Sequence, residues 1–536
     1  MNFTGRVLFF VLVLSFINSY DVYNCTNILV TKGATVDGSS MVTYAADSHE
    51  LYGELYFWPA SDYPGGAVLD IYEWDTGKHL GRIKQVRHTF QVIGNMNEHQ
   101  LVISETTYTG RPELQDTTGI MDYGSLMFIT LQRAKTAREA IRIMDQLLSE
   151  YGYYSTGESF SIADPEEAWI MDLIGKGPGN KGAVWVARKI PDGYISAHAN
   201  HSRITVFPLN DPENTLYSKD VISFAREKGY FKGKDEEFNF SAAYAFADFG
   251  ALRWCEARVW NVFNRVNSRM DKYADYAMGD TTEQPMPLWI KPDNKLSTRD
   301  VIGLMRDHFE GTPMDMTKDI GAGPFKCPYR WRPLDWKIDS VTYFNERAIS
   351  TQQTAYSFVS QSRSNLPGHI GGVLWFGVDD TYSTCYVPIY CGINEIPKPY
   401  AVGTGSFHKF SWESAFWTFN FVSNFAYSRY SDMIIDIQMV QKGLEDKFFA
   451  FQPAIEKAAI ELYNTNPDYA REYLTEYSVK QANLVKERWM ELGEFLLYKY
   501  LDGNVKDKNG EVTHPPYPEE WYRRIIDETG DFFKYK

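Results

Sequence analysis

A short apolar segment near the amino terminus, followed closely by the first cysteine, constrains this chain more than any other feature. Val7 to Ile17 form an eleven-residue apolar run behind Arg6, and Cys25 follows. A membrane-spanning helix needs about 20 apolar residues, so the run is too short to span a bilayer. With the small residue Ser19 after it, the run is typical of a secretory signal peptide. We therefore predict a signal peptide over residues 1–19 and an exported protein, periplasmic or extracellular, in a compartment that permits disulfides.

The charge balance narrows the classes of partner. The chain has 536 residues, with 69 acidic and 54 basic side chains and a formal net charge of −15. Nucleic acids and anionic membranes select clustered Lys and Arg, so this charge disfavours both as partners. After the signal peptide, no segment approaches the roughly 18 uninterrupted apolar residues of a membrane helix. We therefore expect a soluble mature protein that binds no membrane.

Cys25 has three candidate roles in a chain with an odd number of cysteines. A lipoprotein needs small residues immediately before the cysteine, but Val22, Tyr23 and Asn24 occupy those positions. Cys25 could instead be a disulfide partner. In the third hypothesis, cleavage after Asn24 makes Cys25 the amino terminus and the nucleophile of an enzyme. That hypothesis leaves four cysteines for two disulfides in three possible connectivities. The four are Cys255, Cys327, Cys385 and Cys391.

The chemistry of a terminal cysteine favours the third role. A terminal α-amine has a pKa of about 7.7–8.0 and is a suitable general base at neutral pH. Because the amine and the thiol belong to one residue, no separate catalytic histidine is required. His198 and His201 have a spacing compatible with metal binding, but no Glu-rich helix or cysteine pair accompanies them. We therefore predict no metal site and no cofactor.

The residues after Cys25 predict a strand, a turn and a second strand. Asn27 to Thr31 is apolar, residues 32–38 contain two glycines, and Ser39 to Ala46 alternates before Asp47. Such a hairpin returns Asp47 to the neighbourhood of Cys25. A carboxylate there could hold the terminal ammonium or orient the thiol. Without the nearby cysteine, Asp47 would be interpreted as a solvated residue at a strand end.

Motifs spread over most of the chain, in one order, resemble a known family. They are Asn24-Cys25-Thr26, Asp37-Gly38-Ser39, Asp47-Ser48, Asn95 to Glu98 with Gln100, Ser104 to Thr107, Ala163 to Pro165 with Glu167 to Trp169, Trp185 to Arg188, Ser196 to Asn200, Arg203-Ile204, Arg306 to Thr312 and Gly371 to Trp375. In these motifs the chain resembles the dipeptidase A / secernin family of cysteine peptidases. That family belongs to the N-terminal-nucleophile hydrolases and is related to choloylglycine hydrolases and penicillin V acylases. The resemblance extends from Cys25 to about Tyr400.

The resemblance implies a fold, an activity and catalytic residues. The fold is α+β, a four-layer αββα N-terminal-nucleophile hydrolase sandwich with a C-terminal helical extension. The activity is hydrolysis of dipeptides by Cys25 through a thioester acyl-enzyme, after self-cleavage between Asn24 and Cys25. Asp47 and Asn200 complete the predicted catalytic set, with Asn200 donating to the oxyanion. Taken alone, Asn200 is a residue at the start of a loop.

Five residues are candidates for substrate binding. Glu105, like Asp47, could recognise a substrate ammonium, and Asn97 belongs to the same block of motifs. Many relatives carry arginine three residues before the aspartate of the first block, where this chain has Tyr44. Arg188 and Arg203 are candidates to replace that arginine, although both are equally suited to structural ion pairs. Glu105 and Asn97 also have ordinary interpretations, as a solvated strand end and a turn residue.

The signal peptide over residues 1–19 is the first of four predicted segments. We predict a propeptide over residues 20–24, the hydrolase domain over 25–410 and a mainly helical C-terminal region over 411–536. Capping residues predict a helix from Thr136 to Glu150 and a second one from Ser297, with an apolar face that extends to Phe309 and Gly311 as its end. An almost continuous helical pattern covers residues 431–500, broken at Asn466-Pro467. The C-terminal region could cover the sandwich or form a homo-oligomer interface.

Two other functions remain open from the sequence. An amidase acting on N-acyl amino acids or bile-salt-like amides would use the same nucleophile with a more apolar cleft. A non-enzymatic extracellular binding protein would keep Cys25 internal, lipidated or in a disulfide. The dipeptidase differs from both in needing a freed Cys25 and recognition of a free amino terminus.

Overall fold

The computed structural model describes residues 25–331 and 333–536. The predicted signal peptide, the predicted propeptide and the cleavage residue Asn24 lie outside these ranges. Most strands of the described residues belong to two antiparallel sheets. In chain order the strands of these sheets are β1 (Asn27–Val30), β2 (Met41–Asp47), β3 (Phe57–Trp58), β4 (Val92–Ile93), β5 (Met96–Asn97), β6 (Val102–Tyr108), β7 (Gly157–Ala163), β8 (Ala168–Gly175), β9 (Ala183–Lys189), β10 (Ile195–His198), β11 (Thr215–Tyr217), β12 (Trp289–Ile290), β13 (Thr354–Gln361), β14 (Val373–Val378) and β15 (Val387–Tyr390).

The nucleophile candidate precedes the central part of the first sheet. That sheet has seven strands in the order β12-β10-β1-β2-β13-β14-β15, and the second has eight in the order β11-β9-β8-β7-β6-β5-β4-β3. Every residue of β2, β7, β8 and β13 is buried, so both faces of these strands are covered. Small two-stranded hairpins lie outside the sheets: Ser61–Asp62 with His88–Thr89, Val68–Tyr72 with His79–Lys84, Asp335–Ile338 with Val341–Phe344, and Val505–Lys506 with Val512–Thr513.

The helices follow the strands in several groups. They are α1 (Tyr123–Leu131), α2 (Ala137–Tyr151), α3 (Val221–Glu227), α4 (Phe240–Tyr244), α5 (Ala257–Val266), α6 (Ala274–Ala277), α7 (Thr298–Met305), α8 (Gly368–Gly371), α9 (Ala415–Tyr427), α10 (Tyr430–Thr465), α11 (Pro467–Tyr500) and α12 (Glu519–Thr529). A π-helical turn over Ala251–Glu256 runs directly into α5. Within the described ranges, no helix is both long and apolar enough to traverse a lipid bilayer.

The two sheets contact each other, and helices pack beside them. Strands β1 and β2 of the first sheet pack against β6 and β7 of the second. Helices α1 and α2 contact the second sheet, whereas α5, α7 and α9 to α11 contact the first. The chain therefore has a mixed α+β fold with antiparallel sheets, as predicted at that level.

The helix signals in the sequence are confirmed. Thr136 caps α2 by accepting from the Glu139 backbone N–H, and α2 ends at Gly152, which has a positive φ of 79°. Ser297 and Asp300 form a reciprocal capping box on α7. Helix α10 ends at Thr465 and α11 begins at Pro467. The Ser297 helix is shorter than its apolar pattern suggests: it ends at Met305, and Phe309 lies beyond it with a φ of 65°.

The structure pairs none of the five cysteines. Cys385 and Cys391 are close in sequence, which made them candidates for a disulfide, but they flank strand β15. An extended chain rises about 3.3 Å per residue, so six residues separate their Cα atoms by about 20 Å. Disulfides require Cα atoms within about 7 Å. The Cys391 thiol instead lies 3.1 Å from the Gly368 carbonyl oxygen.

Candidate active site

Cys25 lies in the interior of the protein, at the start of the strand that leads into the first sheet. Its exposed fraction is 2%, and the adjacent Thr26 forms a β-bridge with Ala45 of β2. Strands β1 and β2 pair antiparallel, Leu29 opposite Val42. The predicted hairpin is therefore present, and it returns Asp47 to Cys25, whose thiol receives a backbone hydrogen bond from Asp47.

The thiol contacts a tyrosine and a glutamate. Its Sγ lies 3.7 Å from Tyr44 Oη and 3.9 Å from Glu105 Oε1, and the Tyr44 hydroxyl donates to Glu105 Oε1 at 2.5 Å. Burial, followed by the charges of Glu105 and Asp47, raises the pKa of the Cys25 thiol well above its usual value. The thiol is therefore neutral at physiological pH, and its use as a nucleophile requires a base.

Asp47 is held by a buried cation. Its Oδ2 accepts from Arg347 Nη2 at 2.5 Å and its Oδ1 from Thr354 Oγ1 at 2.6 Å. Burial raises the pKa of Asp47, and Arg347 and Thr354 oppose this shift. The carboxylate is thus fixed beside Cys25 by residues that no sequence motif had connected to it.

Replacing Asp47 with asparagine is expected to destabilise the protein by about 3–5 kcal/mol, because it leaves a buried guanidinium without its counter-charge. Urea unfolding of both proteins measures the difference. Asp446→Asn is the control, since Asp446 pairs with Arg299 at the exposed surface, where such pairs contribute about 1 kcal/mol or less. A loss for Asp47→Asn no larger than that of the control would contradict the interpretation.

A single arginine connects Cys25 to Asn200. Arg258 is fully buried and donates from Nη1 to the Cys25 carbonyl at 2.6 Å and to Thr26 Oγ1 at 2.7 Å. Its Nη2 donates to Asn200 Oδ1 at 3.0 Å and to the Ala199 carbonyl at 3.2 Å. The guanidinium therefore fixes the position of Cys25 relative to the Asn200 amide.

Asn200 directly follows β10 in an unusual backbone conformation. Its φ is 62°, in the left-handed region where asparagine is enriched. Its Nδ2 donates to the Thr107 carbonyl at 2.7 Å, while its Oδ1 accepts from Arg258. These two contacts fix the orientation of the amide, with its oxygen toward Arg258 and its nitrogen as the donor.

Sequence reasoning did not identify Arg258. The residue lies just after the π-helical turn Ala251–Glu256, on the first turn of α5. Short π-helical turns frequently occur at functional sites, but a single sequence gives no reliable signal for them. The contact also spans 233 positions, from Cys25 to Arg258.

A polar layer lies between the two sheets near Cys25. Asn27 Nδ2 donates to Ser104 Oγ at 2.9 Å, and His198 bonds Thr106 Oγ1 at 2.7 Å and Ser161 Oγ at 2.8 Å. Burial lowers the pKa of His198 to about 3, so the ring is neutral. His198 therefore joins strands of the two sheets through hydroxyl groups.

Three of the substrate-binding candidates make contacts elsewhere. Asn97 donates to the carbonyls of Leu131 and Ala134 and accepts from the backbone after it. Arg188 lies over the Trp289 ring, 5.1 Å from its centre. Arg203 forms a buried ion pair with Glu256 at 2.7 Å. The structure brings together Cys25, Tyr44, Asp47, Glu105 and Asn200, and it does not bring Asn97, Arg188 or Arg203 to the thiol.

A second buried glutamate, Glu158 of β7, lies opposite Thr107, two residues along β6 from Glu105. Thr107 Oγ1 lies 2.9 Å from Glu158 Oε1 and 3.4 Å from Glu105 Oε2. Burial raises the pKa of both carboxyl groups, and the charge of Glu105 raises that of Glu158 further. Like charges this close favour sharing a proton between the two carboxyls. The motif analysis had not included Glu158.

Comparison with known proteins gives consistent matches. A model described as peptidase family C69 matches residues 54–443, which begin after Cys25. A probable dipeptidase of Latilactobacillus sakei is 24% identical over 397 residues, covering 70% of this chain and 76% of the relative. A probable dipeptidase of Salmonella dublin is 25% identical, covering 69% and 82%. A probable dipeptidase B of Streptococcus pyogenes serotype M1 is 22% identical, covering 93% and 98%.

Proposed function

The chain belongs to peptidase family C69, and from that premise we propose that it is an exported cysteine dipeptidase whose nucleophile is Cys25, freed by self-cleavage. The observation that carries the proposal is Arg258, which donates to the Cys25 carbonyl and to Asn200 Oδ1 and so holds the two residues together. A cysteine and an amide donor held in this way supply the nucleophile and the oxyanion donor that acyl transfer requires. The names of the relatives support peptides with two residues as substrates.

Maturation is an intramolecular acyl shift. The Cys25 thiol attacks the carbonyl carbon of Asn24, the C–N bond breaks, and the nitrogen becomes the free α-amine of Cys25. Water then hydrolyses the thioester that joins Asn24 to the Cys25 sulfur. Arg258 holds the Cys25 carbonyl during this step and thereby fixes the thiol relative to the bond it attacks.

Turnover uses the freed amine as the base. The amine accepts the thiol proton, the thiolate attacks the substrate carbonyl, and the Asn200 amide donates to the oxygen as negative charge develops. The ammonium returns its proton to the leaving nitrogen. Water hydrolyses the thioester and releases the second product. Asp47, fixed by Arg347, keeps a negative charge near the ammonium and stabilises it.

The packing supports a finer description of the fold. We propose that the facing sheets, with α1 and α2 on one side and α5, α7 and α9 to α11 on the other, form the four-layer αββα arrangement of N-terminal-nucleophile hydrolases. We place the hydrolase domain at residues 25–410. Helices α9 to α11 contact the first sheet, and a homo-oligomer through their outer faces is an additional proposal.

Intact-mass measurement with N-terminal sequencing of protein secreted by an expression host tests maturation and export together. We expect a mature chain that begins at Cys25, free of residues 1–24. A secreted chain that begins before Cys25 and is fully active would contradict the nucleophile assignment.

A panel of dipeptides, tripeptides and N-acyl amino acids tests the substrate class. We expect hydrolysis of dipeptides in preference to the others. A preference for blocked amino termini would favour the alternative of an amidase acting on N-acyl amino acids or bile-salt-like amides. Hydrolysis of none of them would favour a binding protein without enzymatic activity.

A further inference from the structure

Glu105, beside the thiol, has a second buried carboxyl group, Glu158, and a half-buried one, Asp75, in its neighbourhood. Glu105 lies 3.9 Å from Cys25 Sγ, the Thr107 hydroxyl lies between Glu105 and Glu158, and Asp75 accepts from the Tyr123 hydroxyl at 2.8 Å. Burial raises the pKa of Asp75 to about 7, and the charge of Glu105 contributes to the shift. Among the ion pairs of the described residues, none joins a Lys, Arg or His to these three acids. In the described part of the chain, these carboxyl groups accept hydrogen bonds from the hydroxyls of Tyr44, Thr107 and Tyr123 and from the Cys25 thiol.

Two fully buried polar atoms in the same place lack a hydrogen-bond partner within the described part of the chain. They are Glu158 Oε2 and Tyr153 Oη, and the charge of Glu158 acts on Tyr153. Both side chains are 0% exposed. A buried polar atom left without a partner costs about 1–3 kcal/mol, and more when it is charged. A bound cation that donates hydrogen bonds would satisfy the Glu158 oxygen and offset the charge of the two glutamates.

Bond lengths and angles decide which group of a bound substrate can lie near these carboxyl groups. An attacked carbonyl carbon lies about 3–3.5 Å from the nucleophile. In any residue, the N–Cα and Cα–C bonds are about 1.46 and 1.52 Å long and meet at about 111°. The α-nitrogen of the attacked residue therefore lies about 2.5 Å from its carbonyl carbon. The α-nitrogen therefore lies within about 6 Å of Sγ, the region that Glu105 occupies. The carboxylate of a dipeptide lies on the opposite side of the attacked bond.

We infer that Glu105 and Glu158 together bind the free α-ammonium of the residue whose carbonyl Cys25 attacks. The inference rests on the proposed function and narrows it to substrates with an unblocked amino terminus on the residue before the cleaved bond. An ammonium supplies three donors to carboxyl oxygens that otherwise receive only neutral ones. It also offsets the negative charge that opposes formation of the Cys25 thiolate, so the correct substrate assists the nucleophile.

The test compares one dipeptide with its des-amino analogue, in which hydrogen replaces the α-amine, and with its N-acetyl derivative. Wild type is expected to hydrolyse the free dipeptide about 10³-fold more efficiently, by kcat/KM, than either analogue. In Glu158→Gln, kcat/KM for the dipeptide is expected to fall about 10- to 100-fold while that for the des-amino analogue stays within a few fold. Glu105→Gln also removes a charge beside the thiol, so for that variant the ratio of the two kcat/KM values is the readout. The ratio between the two substrates therefore shrinks in both variants.

Asp379→Asn is the matched control. Asp379 is also a buried acid with neutral partners, Asn420 and Ser423, and its pKa is raised to about 7 by burial. For Asp379→Asn, the ratio of kcat/KM for the dipeptide to kcat/KM for the des-amino analogue is expected to equal that of wild type. Thermal unfolding serves as the check on folding, and Glu158→Gln is expected to melt no lower than wild type because it removes a repulsion between like charges.

The outcomes separate the inference from the proposed function. Variants that fold and hydrolyse the dipeptide with an unchanged substrate ratio would overturn the ammonium site and leave the dipeptidase intact. If Glu105→Gln does not fold, Glu158→Gln alone decides. Wild type that hydrolyses the des-amino analogue as well as the dipeptide would also overturn the site. Wild type that hydrolyses none of the three would overturn the proposed function and the site with it.

Discussion

Cys25→Ala is expected to lower kcat/KM for dipeptides by about 10⁴-fold or more, because it removes the group that we propose forms the acyl-enzyme. The same substitution removes the thiol proposed to cleave the bond after Asn24. The purified protein should therefore also retain residues 20–24. Two independent readouts, steady-state kinetics and intact mass, follow from one change.

Cys327→Ala is the control for Cys25→Ala. Cys327 is a half-buried free thiol that lies outside the proposed site. This variant should be processed at Cys25 and keep its activity within a few fold of wild type. A Cys25→Ala protein that begins at residue 25 would show that another agent cleaves the chain. A Cys25→Ala protein with undiminished kcat would show that Cys25 is not the nucleophile.

Asn200→Gly is expected to lower kcat by about 10²- to 10³-fold, or about 2.7–4 kcal/mol, which is the cost of removing one oxyanion donor, the role proposed for Asn200. Glycine is the appropriate replacement because the φ of 62° at this position suits it. The loss should appear mainly in kcat, since the donor acts on charge that develops in the transition state.

Asp502→Gly controls for the change in backbone freedom. Asp502 has a φ of 54° and lies exposed, in the turn after α11. Its activity should equal that of wild type. If Asn200→Gly raises KM and leaves kcat unchanged, Asn200 binds substrate and does not stabilise the transition state.

Local parts of the fold were predictable, and long-range contacts were not. The caps at Thr136 and Ser297 and the break at Pro467 are signals read from adjacent residues, and the structure has all three. The hairpin that returns Asp47 to Cys25 is equally local. Arg347 contacts Asp47 across 300 positions, and nothing in the sequence near either residue indicates the pair.

The structure gives a physical role to Tyr44, the residue that departs from the family pattern. From sequence, its position was only one where many relatives carry arginine, and Arg188 and Arg203 were the candidates to replace it. In the structure, Arg347 provides the cation beside Asp47, while the Tyr44 hydroxyl bonds Glu105. A hydroxyl at this position leaves the Glu105 carboxyl without a positive neighbour, and only the three-dimensional contacts reveal that consequence.

The contacts of the C-terminal helices bear on when, during synthesis of the chain, the surroundings of Cys25 can fold. Helices α9 to α11 contact β14 and β15 of the first sheet, and their residues share one apolar core with β1 and β2. These helices are synthesised after the strands of both sheets, so a nascent chain that ends near residue 410 exposes an apolar sheet face. We therefore expect folding around Cys25 to be completed only after α9 to α11 have been synthesised. A chain truncated near residue 410 would carry Cys25 without the packing that these helices provide.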